Sequence, residues 1–131
     1  MDSVKKQTFF FDVVTAMLSV NKWSLDQTAS IIPSLRIEGF SEPMILASCS
    51  HEEVALRLER AGYKRGTYIV SRMADWIICA SLILSEDSMI EKLVTAEETG
   101  DIKTIQDSLA RIKGVGPGVR DTFLRLRGIR S

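Results

Sequence analysis

Two residue types are scarce in this 131-residue chain, and their scarcity excludes whole classes of site. The two cysteines, Cys49 and Cys79, stand far apart without a CxxC pair, so the sequence encodes neither a zinc site nor an iron–sulfur cluster. We expect both to be reduced thiols in apolar surroundings. His51 is the single histidine. Because it stands inside the helix-start pattern SHEE at 50–53, we expect a capping segment there and no catalytic or metal-binding histidine.

Long apolar runs and an excess of one charge are also missing. The most apolar stretch, residues 76–84, is too short to cross a bilayer, and no signal-peptide pattern opens the sequence. The 17 basic residues balance the 17 acidic ones, for a net charge of zero. We therefore expect a cytoplasmic protein without membrane association, nucleoid-associated if the source is prokaryotic.

Apolar residues recur with a helical period along nearly the whole chain. We find no convincing strand, repeat or low-complexity segment, which predicts a compact all-α domain of about eight helices spanning residues 1–131. Ser24, Ser41, Ser50 and Asp101 stand at predicted N-caps. The predicted helices are 4–20, 24–32, 44–47, 51–61, 66–84 and 87–99, followed by a helix–hairpin–helix segment at about 102–128.

The C-terminal segment SLARIKGVGPGVRDTFLRLRG (108–128) is the most informative part of the sequence. Its glycines permit positive φ and remove Cβ, so the turn can lie close to another group. Pro117 has a preset φ and no amide hydrogen, which suits the first turn of a helix. The next amides, those of Gly118 and Val119, then point out of a positive helix end, an arrangement that binds phosphate. The expected ligand is a nucleic-acid backbone.

Positive charge is concentrated in the same region. Residues 111–131 carry one acid, Asp121, against six basic residues, a net charge of +5: Arg111, Lys113, Arg120, Arg125, Arg127 and Arg130. Such clustering is typical of phosphate binding. The alternative is an arginine-rich last helix that balances its own dipole and keeps the chain soluble. Asp121 itself is expected to pair with Arg125 one turn further on.

The order of elements resembles the helix-hairpin-helix (HhH-GPD) superfamily of base-excision DNA glycosylases over about residues 8–128. Three places carry the resemblance. IKGVGPG at 112–118 is similar to the family's hairpin, AMLSVN at 16–21 to its leucine-serine-any-glutamine segment, and AGYKR at 61–65 to the turn before its long central helix. The hairpin is moderately specific, because it recurs in many DNA-binding proteins, and the other two are weak individually.

The resemblance implies a six-helix barrel domain that grips DNA while a base is flipped out. Hairpin residues would contact phosphates, and three main-chain carbonyls, those of Ala110, Ile112 and Val115, would hold a K⁺ or Na⁺ ion. Asn21 would lie near the DNA as a wedge or as a contact to the orphan base, whose edge its amide could hydrogen-bond; its alternative role is a plain helix C-cap. Lys64 and Arg65 would touch phosphate, or form a solvated turn. The residues implied for DNA contact are Asn21, Lys64, Arg65, Lys113, Gly114, Val115, Gly116, Pro117, Gly118, Val119 and Arg120.

Departures from the family pattern bear on catalysis. Gly118 occupies the position of the lysine nucleophile that bifunctional members use, and the aspartate shared by nearly all members would fall beyond Ser131. The second domain that closes the cleft is also missing. We therefore expect a DNA-binding domain that is non-catalytic alone. Two alternatives stay open: a minimal or two-subunit glycosylase, and a protein-interaction domain without nucleic acid.

Two further expectations follow from these readings. A barrel without its second domain exposes an apolar face, which predicts a homodimer or a partner subunit.

Trp76, in the predicted long helix, is expected in the core, with Asp75 beside it. The alternative is that Trp76 stacks on a base and Asp75 supplies a carboxylate to a cleft.

Overall fold

Helices make up all of the regular structure within residues 3–129, the part of the chain that the computed structural model describes. The predicted all-α class is therefore confirmed, with nine helices in this range where about eight were expected. In chain order they are α1 (Ser3–Leu18), α2 (Leu25–Ser30), α3 (Ile32–Ile37), α4 (Pro43–Ala47), α5 (His51–Ala61), α6 (Thr67–Leu84), α7 (Asp87–Thr99), α8 (Ile102–Leu109) and α9 (Pro117–Leu126).

Three of the predicted N-caps are confirmed. Ser24 forms a full capping box with Gln27, whose amide donates to Ser24 Oγ at 3.1 Å while its side chain accepts from Ser24 N at 2.8 Å. Asp101 accepts from the amide of the third residue of α8 at 3.2 Å. Ser50 accepts from Glu53 N, but the Glu53 carboxylate pairs with Arg57 at 3.2 Å, so only half of that box forms.

Two predicted helix boundaries are wrong. The helix expected over 24–32 ends at Ser30, and α3 begins separately at Ile32. Pro33 explains the break, because it has no N–H to continue the hydrogen-bond ladder but suits the first turn of a new helix. The N-cap of α4 is Glu42, without a side-chain hydrogen bond, and not Ser41. Here Pro43 at the first position sets the start of the helix.

The core lies between α1 and α6. Three successive phenylalanines of α1, Phe9, Phe10 and Phe11, are buried, and the Phe9 ring meets Phe123 of α9 edge to face with centroids 5.0 Å apart. The central helix α6 packs against α1, α4, α5 and α7. By length and mean hydropathy alone, 1.4 over 18 residues, α6 is the one helix of the described segment long and apolar enough to cross a membrane. Its contacts on several sides are also those of a core helix.

Arg127, at the C-terminal end of α9, connects this helix to α1. Its guanidinium donates to Glu97 at 2.7 Å and to Asp12 at 2.9 Å, and lies 5.2 Å from the centroid of the Phe9 ring. Only 15% of its side chain is exposed. The basic C-terminal segment is thus less available to phosphate than its charge suggested, because Arg127 points inward and pairs with acids of α1 and α7.

Candidate nucleic-acid interface

The turn between α8 and α9 rests on Trp76 of α6. Gly114 has φ +83°, and a β-carbon built on it would lie 2.6 Å from Trp76 Cε3. Only a glycine fits there, since both the backbone angle and the space exclude a side chain. Trp76 is half-buried and also packs against the core, as expected, so it connects the core directly to the turn.

The start of α9 is open to solvent. Pro117 is its first residue, as predicted, and the N-cap Gly116 offers no side-chain acceptor. The amide of Arg120 donates to Gly116 O at 3.1 Å, whereas the amides of Gly118 and Val119 have no acceptor among residues 3–129. Two unpaired N–H groups at a positive helix end are suited to an anion.

Trp76, which supports this turn, also forms part of the wall of a cavity of about 160 Å³. Asn21 and Arg65, which are far apart in sequence, line the same cavity. Tyr68 and Arg72, from the first two turns of α6, also line this cavity and are exposed to a ligand there. The fold therefore brings Asn21 and Arg65 together, and Trp76 connects their cavity to the turn.

Asn21 has an unusual backbone. Its φ of +58° is the only positive φ of a non-glycine residue within 3–129. Asparagine tolerates this left-handed conformation better than most residues. It lies three residues beyond Leu18, so it is not the C-cap of α1. Its exposed side chain has no hydrogen-bond partner in the described part of the chain, which leaves the amide free for a ligand.

Lys64 and Arg65 are adjacent but differently held. Arg65 donates to Val20 O at 3.0 Å and to Tyr63 Oη at 3.4 Å, which fixes its guanidinium at the cavity wall. Tyr63 is buried and donates to Leu18 O at 3.2 Å; burial raises the pKa of its phenol. The Lys64 side chain is exposed and has no ion-pair or hydrogen-bond partner among residues 3–129. The turn is thus anchored by Arg65, and Lys64 extends into solvent.

Several cations near the turn are free of carboxylates. Within the described residues, neither Arg72 nor Lys113 has a hydrogen-bond acceptor or an acidic partner, and both are exposed. In contrast, Arg125 pairs with Asp121 at 3.4 Å, which confirms that expected pair. The positive charge available to an anion therefore includes Arg72 and Lys113, together with Lys64, Arg111 and Arg120.

The three carbonyls expected to hold a monovalent cation are partly occupied by protein donors. Ile112 O accepts from Val115 N at 3.1 Å, and Val115 O lies 3.4 Å from Nη1 of Arg120. Each of these two oxygens keeps a second lone pair, so the K⁺ or Na⁺ site stays a prediction. No cluster of three His, Cys, Asp or Glu side chains suited to a metal occurs in residues 3–129.

A hydrogen-bonded trio on α5 and α6 was missed by sequence reasoning. His51 Nδ1 lies 2.6 Å from Asp75 Oδ1, and its Nε2 lies 2.9 Å from Ser71 Oγ. Ser71 and Asp75 are four residues apart on α6, which places them on one face of the helix. This spacing was the signal in the sequence that could have predicted their proximity. His51 had been placed in a capping segment only, and as the first residue of α5 it fulfils that expectation too.

A serine, a histidine and an aspartate linked in this order by hydrogen bonds also form the catalytic triad of hydrolases. The trio on α5 and α6 differs from such triads in the main-chain amides near its serine. In triad enzymes the oxyanion is bound by the main-chain amide of the nucleophile or of the residue after it. Ser71 is the fifth residue of α6, so its amide and that of Arg72 are donors inside the helix. We interpret the trio as a connection between the start of α5 and the middle of α6.

Apolar side chains are exposed at several separate places. Met44 and Ile45 of α4, 75% and 37% exposed, line a cavity of about 260 Å³ with Leu84 and Ile90.

The half-buried Cys49 and Cys79 are free thiols, and burial raises the pKa of Cys49.

Comparison of the chain with protein-family models, curated proteins and solved structures finds no match in any of the three.

Proposed function

We propose that the protein is a DNA-binding domain that holds the phosphate backbone with the turn 110–116 and the start of α9, as a helix-hairpin-helix motif does. The observation that supports this most is the seating of Gly114 on Trp76. It holds against the core the turn that carries the exposed Lys113 and leads into α9, where the amides of Gly118 and Val119 are unpaired. Amides and a cation on one rigid surface are the groups that bind a phosphate.

Binding of this kind depends on charge more than on sequence. Phosphate contacts position a protein on DNA without reading its bases, and each phosphate that is neutralised releases counterions. We therefore expect affinity that falls steeply with salt and varies little between DNA sequences. Gly118 has no nucleophile and Asp121 is paired with Arg125, so the domain is proposed to bind without cleaving.

The test is binding to a short fluorescent DNA duplex over a series of salt concentrations. Lys113→Ala is compared with Lys103→Ala, which removes an exposed lysine of α8 that pairs with Asp107. We expect Lys113→Ala to weaken binding and to lower the slope of log K against log salt by about 0.9, the value for one phosphate contact. Lys103→Ala should leave both unchanged.

No binding at low salt, or equal effects of the two lysine substitutions, would overturn the proposal and favour a protein-interaction domain. Base release or strand cleavage in the same samples would favour the glycosylase alternative and require a carboxylate from another chain. The same samples, analysed for mass, show whether a homodimer or a monomer is the binding species.

A further inference from the structure

Three side chains form a stack along the exposed face of α6. Tyr68, Arg72 and Trp76 follow one another at intervals of four residues, which places them one above the other on the helix. The Arg72 guanidinium carbon lies 5.3 Å from the centroid of the Tyr68 ring and 5.6 Å from the Trp76 ring. A cation between two aromatic rings holds both rings in position without using its N–H donors.

The outer end of the stack is open. Tyr68 is 70% exposed, and among the described residues its hydroxyl has no hydrogen-bond partner. The inner end is closed, since Trp76 is covered by Gly114 of the turn. The stack therefore runs from the proposed phosphate-binding turn to a free aromatic face.

Polar groups suited to a nucleotide surround this face. Arg72 keeps all its donors free of protein acceptors within residues 3–129, and the Asn21 side chain is likewise unpaired. Both line the same cavity of about 160 Å³ as Tyr68. A guanidinium binds phosphate, an amide both donates to and accepts from a base edge, and an aromatic ring stacks on a base.

We propose that this cavity binds one unpaired nucleobase, stacked on Tyr68, with Asn21 at the base edge and Arg72 at the adjoining phosphate. The base must be unpaired because, in a duplex, the neighbouring pairs cover its faces. The inference rests on the proposed function and names its ligand more closely: DNA in which a single strand leaves a duplex, the duplex held by the turn and the strand by Tyr68.

The experiment compares a blunt duplex with the same duplex carrying a single-stranded overhang. It uses the unchanged protein, Tyr68→Ala, Tyr68→Phe and the control Leu82→Ala, which removes another exposed apolar side chain of α6. We expect the unchanged protein to prefer the overhang by roughly 5- to 150-fold, the worth of stacking one base on an aromatic ring. Tyr68→Ala should lose the preference and keep its affinity for blunt duplex, while Tyr68→Phe and Leu82→Ala keep both.

Photocrosslinking supplies a second readout. An overhang that contains 5-iodouracil should crosslink at Tyr68, as located by mass spectrometry. Equal affinity for both DNAs, or a preference that survives Tyr68→Ala, would overturn this inference and leave duplex binding intact. Failure of every variant to bind either DNA would overturn the proposed function itself, so the two failures are distinguishable.

Discussion

Gly114 lies directly on the indole ring of Trp76, so close that a β-carbon at residue 114 would be 2.6 Å from Cε3. This contact determines where the turn before α9 sits, since Trp76 also packs against the core. Any side chain at position 114 must lift the turn or displace the ring.

The first prediction concerns that contact. We expect Gly114→Ala to lower the free energy of unfolding by about 1–3 kcal/mol, through overpacking and through a φ of +83° that alanine disfavours. Gly118→Ala is the matched control, because Gly118 has no positive φ, lies inside α9 and has no atom within 4 Å of the added carbon. Urea unfolding followed by tryptophan fluorescence measures both. Equal stability of the two variants would show that the turn does not depend on Trp76.

The second prediction concerns Arg127. Its replacement by methionine leaves Glu97 and Asp12 partly buried without their cation, and we expect a loss of about 2–4 kcal/mol. Arg125→Met breaks only the exposed pair with Asp121 and should cost less than about 1 kcal/mol. Denaturant midpoints of the two variants give the comparison. A small effect at Arg127 would mean that solvent reaches the two carboxylates freely.

The third prediction concerns the pH dependence of stability. Burial raises the pKa of Asp12 above its ordinary value, and Arg127 offsets this only in part; the pKa of Arg127 is itself raised, chiefly by Glu97. Because the folded state binds this proton more tightly than the unfolded state, the contribution of Asp12 is fully present below about pH 4 and is lost as pH rises through the raised pKa.

The matching variant is Asp12→Asn, which cannot ionise. Relative to the unchanged protein, it should gain in free energy of unfolding as the pH increases from about 4 towards neutrality. Unfolding curves at several pH values test this, with the difference between the two proteins as the quantity of interest. A constant difference, or one of opposite slope, would contradict the assignment of burial as the dominant effect.

The fourth prediction separates a structural from a catalytic role of His51. A double-mutant cycle of His51→Ala and Asp75→Ala should give a coupling of about 0.5–1 kcal/mol in stability, modest because Asp75 is mostly exposed. A fluorophosphonate probe should not label Ser71 in the unchanged protein. Labelling that disappears in His51→Ala would instead establish an activated serine.

Local rules predicted the helix ends well and the long-range contacts poorly. Ser24 and Asp101 cap as expected because capping depends on a residue and its near neighbours. The break before Pro33 follows from an equally local rule that was not applied. The inward turn of Arg127 was not predictable, because its partner Asp12 is 115 residues away and a charge count cannot show which arginine faces the core.

In the candidate site, too, local features were predicted and long-range contacts were not. A turn at 114–118 was predicted from its glycines, and the structure has it at 110–116; its support by Trp76 depends on how α6 packs beneath it. Asn21 and Arg65 were each identified by resemblance, and their common cavity appears only in the fold. Tyr68 and Arg72 were not identified, although a tyrosine and an arginine four residues apart on a helix were the available signal.

The pairing of α1 with α9 also has a consequence for synthesis on the ribosome. Phe9 finds its ring partner only when Phe123 emerges, and Asp12 finds Arg127 later still. Contacts of such high sequence separation slow folding, because a long stretch of chain must close before they form. The packing of α1 is therefore complete only after α9 has been synthesised. Until then Phe9 lacks this ring partner, although α1 also packs against α2, α6 and α7, which are synthesised earlier. Chains that are packed incompletely in this way expose apolar surface and are prone to aggregate.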